Sequence, residues 1–76
     1  MGGSIFYEGK QCRCIVLAIS QKQAAEITGE STGRIRDYWC ETHNSNELEV
    51  AQGAPSGSMW IAPLNSRDKD GYIKLK

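Results

Sequence analysis

The apolar pattern of this chain changes its period at Ser20. Before that point, Gln11 to Ile19 reads as a strand whose two faces are both largely apolar. Cys12, Cys14, Val16 and Ala18 alternate with Arg13, Ile15, Leu17 and Ile19. Such a strand needs cover on each side and so belongs in the middle of a sheet. After that point, Ser20-x-x-Gln23 fits a capping box, in which the hydroxyl and the amide side chain satisfy orphan N–H groups at a helix start. Ala24, Ala25 and Ile27 suit a short helix stopped by Gly29, the residue type that accepts a left-handed position. Ser31 or Thr32 caps a second helix expected to run to about Thr42, with Ile35, Tyr38, Trp39 and Thr42 on one stripe. Asn44-Ser45-Asn46 breaks it and caps a third, Glu47 to Gln52, stopped by Gly53.

The flanking segments are extended. Ile5-Phe6-Tyr7 is strand-prone and meets Gln11 to Ile19 through the turn chemistry of Glu8-Gly9-Lys10. Ser58 to Leu64 is a strand that Pro63 confines to an edge or an end. Asp68-Lys69-Asp70-Gly71 makes a turn into Tyr72 to Lys76, where Ile73 and Leu75 alternate with Tyr72, Lys74 and Lys76. The fold expected is α+β: a small antiparallel sheet in ββ-ααα-ββ order with two or three short helices packed on it. Met1 to Ser4 reads as a flexible leader, and residues 5–76 as a single α+β domain. With 76 residues the chain has room for one small core, and burying more surface in a homo-oligomer is expected.

Charge narrows the choice of partner. Nine Lys plus Arg balance nine Asp plus Glu, so neutralising many phosphates is not what this surface is made for. Nucleic acid is therefore an unfavoured partner. The longest apolar run, Ile15 to Ile19, falls far short of the ~20 residues of a membrane span. Three cysteines, an odd number, fit a reducing, cytoplasmic setting better than a disulfide framework.

Cys12-x-Cys14 with Cys40-x-x-His43 supplies ligand types that zinc accepts, although the usual two-residue gap is absent and core thiols explain the cysteines equally well. Cys40 and His43 lack the third group that orients a nucleophile pair. Asp68-x-Asp70-Gly71 opens like a calcium loop but lacks the downstream glutamate, so it reads as a turn. No catalytic signature stands out, no cofactor is implied, and the chain is read as non-enzymatic.

The polar and aromatic residues that remain suit a nucleotide-like small molecule. Tyr38, Trp39 and Trp60 offer flat faces for a base. Arg34 and Arg36 offer forked donors for a diphosphate, Ser31 and Thr32 offer hydroxyls, and Gly33 permits close backbone approach. Glu41, Thr42 and Asn44 complete the candidate ligand-binding set, with Glu41 or Asn44 assigned to ribose hydroxyls. Against this stands the plainer reading that Tyr38 and Trp60 are core and the arginines a solvated face.

Two resemblances add to the residue reading. With Gln21 as first position, Ala25, Gly29, Ile35 and Tyr38 fall at helix-turn-helix positions, and Ser31-x-x-Arg34-Ile35-Arg36-x-Tyr38 resembles the start of a MerR-type recognition helix. That resemblance implies a DNA-binding regulator. Thr28 and Glu30 stand where apolar residues would close the helix pair, and Glu26, Glu30, Asp37 and Glu41 would face phosphate. Over roughly Val16 to Leu64, Ser20-x-Lys22-x-Ala24-Ala25-x-x-x-Gly29-x-Ser31, then Arg36-x-Tyr38-Trp39-x-Glu41-Thr42-x-Asn44, then Glu47, Ala51 and Pro55, resembles a family of very short phage and prophage proteins. The family pattern has a glycine directly after Pro55 and an arginine before the position of Pro63, where this chain has Ser56 and Ala62. Small phage proteins of this size include immune evaders that sequester nucleotide signals made by host TIR-domain enzymes. The resemblance thus implies a sponge for an ADP-ribose-like molecule.

Overall fold

The computed structural model describes residues 1–65 and 68–76. In chain order it forms β1 (Gly2–Tyr7), β2 (Lys10–Val16), α1 (Gln21–Thr28), α2 (Thr32–Tyr38), α3 (Ser45–Ala51) and β3 (Met59–Pro63). A short 3₁₀ turn, Lys69–Gly71, then leads into β4 (Ile73–Lys74). The class is α+β, with one antiparallel sheet of strand order β1-β2-β3-β4 and the helices lying between the neighbours β2 and β3.

Local chemistry sets most of the joints. Glu8 and Gly9 take φ values of 51° and 79°, closing β1 onto β2 in a two-residue turn whose twist suits the strands. Ser20 caps α1 by accepting from the Gln23 N–H, while the Gln23 side chain accepts from the Ile19 N–H at 2.7 Å. Gly29, at φ 79°, ends α1 in the left-handed conformation. Asn44 caps α3 through hydrogen bonds from the N–H groups of Asn46 and Glu47.

β2 is central and covered on both faces. Its register pairs Gly3 with Cys14, Ile5 with Cys12, Cys14 with Ile61 and Val16 with Met59, so these side chains share one face. They form the core with Ala24, Ala25, Ile27, Ile35 and Trp39 of the α1–α2 segment. The opposite face carries Arg13, Ile15, Trp60 and Ala62, paired Ile15 with Trp60 and Arg13 with Ala62. Arg13 there reaches Glu47, which places α3 on this second face.

Three expectations are corrected. Met1 to Ser4 is not a flexible leader, because Gly2 and Gly3 are buried within β1. Each glycine is required for a different reason. A Cβ on Gly3 would lie 2.5 Å from carbons of the Trp39 indole, and one on Gly2 would collide with the Arg13 guanidinium on the other face. Secondly, α2 stops at Tyr38 rather than near Thr42. Trp39 leaves the helix to lie on Gly3, and Cys40 pairs with Gly2 through Gly2 N–H to Cys40 O at 2.8 Å and the reverse bond at 3.2 Å. At this clasp the chain crosses the β1 edge from the first face to the second. Thirdly, the last strand is only Ile73–Lys74, and Ile73 is exposed while Tyr72 turns inward.

Candidate functional site

α2 carries Thr32, Arg34, Arg36 and Tyr38 of the residues expected to bind a ligand, and its geometry sorts them. Ile35, fully buried, pins the helix to the core. Residues two apart on a helix point to nearly opposite sides. Arg34 and Arg36 consequently occupy different flanks of α2, and a single diphosphate cannot be forked between them as expected. Arg34 shares its flank with Tyr38, one turn on, and with Glu30, just before the Ser31 cap. Its Nε lies 3.0 Å from the Glu30 carboxylate, and its guanidinium sits 5.2 Å from the centroid of the Tyr38 ring. Tyr38 is 71% exposed, so this is surface and not core. On the other flank stand the exposed Thr32 and Arg36, the latter bonded to Asp37 at 3.0 Å. Surface pairs of this kind contribute ~0–1 kcal/mol, so a phosphate can displace either carboxylate.

The indoles are not available for stacking. Trp39 and Trp60 are each only 6% exposed and lie on opposite faces of the sheet. The reason is packing: Gly3 leaves a seat for one ring, and the β2–β3 register buries the other beside Ile15. Lys74 lies 5.9 Å from the Trp60 ring. Ser31 is likewise committed, its hydroxyl accepting from the Arg34 N–H as the α2 cap. Glu41 is exposed just past the clasp.

Of two further residues expected as ligand contacts, Asn44 is spent as the cap of α3 and Thr42 serves a buried charge. Glu47 is fully buried on α3. It accepts from Arg13 Nε and Nη2 at 2.8 Å each and from the hydroxyls of Thr42 and Tyr72. The Arg13 guanidinium, helped by the two hydroxyls and opposed by burial, holds the carboxyl at about 2. In turn Glu47 raises Arg13 above its ordinary range. The sequence carried a sign of this centre: Arg13 is a cation inside a strand that is otherwise apolar on both faces, and a buried charge needs a partner.

Cys12 and Cys14 lie on the core face of β2, whereas Cys40, paired at the β1 edge, and His43 are exposed. No group of His, Cys, Asp and Glu able to hold a metal ion forms among the described residues. Burial pushes the Cys14 thiol up to about 12. A largely apolar hollow of about 410 Å³ opens near the β1–β2 turn, against Tyr7, Lys10, Cys12, Ile61, Pro63 and Ile73. None of the expected ligand-binding residues lines it. Among the described residues no helix is long and apolar enough to cross a membrane.

No family model matches the chain, and no curated protein or solved structure matches it.

Proposed function

We propose that this chain is a non-catalytic capture protein of the phage anti-defence type, which sequesters a nucleotide-derived, ADP-ribose-like signal in the host cytosol. The observation that carries this reading is the Arg34 guanidinium held over the exposed Tyr38 ring. A ring with one open face accepts a base by stacking, and a guanidinium beside it takes a phosphate in place of Glu30. The α1–α2 segment and the residues just after it also carry Glu26, Glu30, Asp37 and Glu41, which disfavours an extended phosphate backbone more than a compact anion. Sequestration requires affinity and abundance, not chemistry.

Calorimetry with cyclic and histidine-linked ADP-ribose tests the reading. Heat of binding is expected for one of them, lost in Tyr38→Ala and Arg34→Ala but kept in Arg36→Ala. Absence of heat with each at micromolar protein removes the proposal.

A second reading has its own support. α1 and α2 form a capped pair joined through the left-handed Gly29, and α2 presents Thr32, Arg34, Arg36 and Tyr38 outward, as a DNA-reading helix does. It requires duplex affinity at low salt that falls steeply as salt is added.

A further inference from the structure

The two edges of the sheet are guarded unequally. Natural sheets blunt their edges with short strands, charges or covering segments, because unpaired main-chain groups template association. The β4 edge is two residues long and carries Lys74. Among the described residues the main chain of the β1 edge is paired only at Gly2, by Cys40.

The direction of each β1 main-chain group follows from that clasp. Gly2 exchanges both its hydrogen bonds with Cys40, so its N–H and C=O point away from β2. Alternation along an antiparallel strand sends those of Ser4 and Phe6 the same way. Beyond the clasp they meet no main-chain partner among the described residues. In the place where a protected edge would carry a charge stands Phe6, 76% exposed.

We infer that the open part of β1 pairs with β1 of a second copy, antiparallel, about a two-fold axis at Phe6. The lane runs from Ser4 to Tyr7, roughly 13 Å at about 3.3 Å per residue. Cys40 closes it at one end and the Glu8–Gly9 turn at the other. A strand as short as this same segment fits, and a longer one meets Cys40. With the axis at Phe6, the outward-pointing groups of Phe6 meet those of Phe6 in the second copy, as ladder pairing requires. The two phenyl rings then lie side by side on one face, and Tyr7 comes opposite Ile5 of the second copy on the other. Cross-strand aromatic and aromatic–aliphatic pairs of this kind stabilise a sheet. A formal net charge of zero leaves no overall repulsion between copies. In this register Ile5, Phe6 and Tyr7 of each copy face one another, and three residues a side bury less than the ~800 Å² per partner of a standard interface, so the dimer is weak and concentration-dependent.

This pairing does not rest on the ligand reading of α2, and its test needs no ligand. Sedimentation velocity of the full chain, from roughly 10 to 500 µM, is expected to show mass rising from monomer toward dimer. Phe6→Lys places like charges at the axis and is expected to move the midpoint at least about tenfold higher while leaving circular dichroism unchanged. Hydrogen exchange on the unmutated chain supplies a second readout: the Phe6 amide gains protection with concentration and the Gly2 amide does not. A monomer throughout, a dimer untouched by Phe6→Lys, or a Phe6 amide indifferent to concentration each overturns the inference.

Discussion

Arg13 and Glu47, 34 residues apart in sequence, meet through two hydrogen bonds of 2.8 Å each and fasten α3 to the sheet. The pair is planar on both sides, and the remaining carboxylate capacity is taken by Thr42 and Tyr72. Buried charge is tolerated here because all of it is answered. The pair therefore acts as a positional lock: α3 can sit only where its one buried carboxylate finds this guanidinium.

Removing Arg13 leaves Glu47 charged and fully buried, and removing Glu47 leaves a largely buried guanidinium without its partner. Glu47→Ala and Arg13→Ala are each expected to destabilise the fold by about 3–5 kcal/mol. The double variant is expected to lose clearly less than the sum of the two. Urea unfolding of all three chains measures this, and strict additivity would show that the two side chains do not interact.

Acid acts on the same lock. An ordinary glutamate titrates at 4.5, whereas Arg13 holds Glu47 at about 2 in the folded chain. A depressed folded value means the stabilisation is complete above the ordinary value and is lost as pH falls from 4.5 toward 2. The loss across that window is on the order of 3 kcal/mol. Urea midpoints followed down to about pH 2 test it, with Glu47→Gln expected to remove this part of the acid sensitivity.

Gly3 is expected to accept no side chain. Gly3→Ala drives a methyl against the rigid Trp39 indole and is expected to cost about 1–3 kcal/mol, with an altered near-ultraviolet dichroism from the displaced ring. Gly9 has open space around its Cβ position, so Gly9→Ala is expected to show only the strain of a positive φ, with the indole signal unchanged. An undisturbed Trp39 signal in Gly3→Ala would contradict the packing described.

The three thiols are expected to react in order of access. Cys40 is exposed, Cys12 half-buried and Cys14 buried. Iodoacetamide at mildly alkaline pH is expected to label Cys40 first and Cys14 only after denaturation, as read by mass spectrometry. Because burial raises Cys14 from 9.0 to about 12, its contribution to stability holds below 9.0 and is lost as pH rises through that range. Native labelling of Cys14 as fast as Cys40 would refute its burial.

What was legible in the sequence is what local chemistry decides. The Ser20 cap, the Gly29 stop, the Asn44 cap and the two-sided apolarity of β2 all act within a few residues. Trp39 was not legible in this way. Tyr38 and Trp39 are adjacent aromatics on a helical stripe, and which of them is buried depends on Gly3, far away in the chain, leaving a seat for an indole. The same segment, through the bonds of Gly2 to Cys40, holds the chain just after α2 at the sheet edge, a contact that no local pattern announces. Of the expected ligand set Arg34 and Tyr38 still form a pair, because their four-residue spacing alone puts them together on one flank.

The clasp between Gly2 and Cys40 ties together the layers on the two faces of the sheet. One neighbour in sequence, Trp39, belongs to the first face, and the stretch just after Cys40 leads into the second. Slack introduced on either side must pass through those two backbone bonds, so the molecule has a waist at which a disturbance in one layer is transmitted to the other.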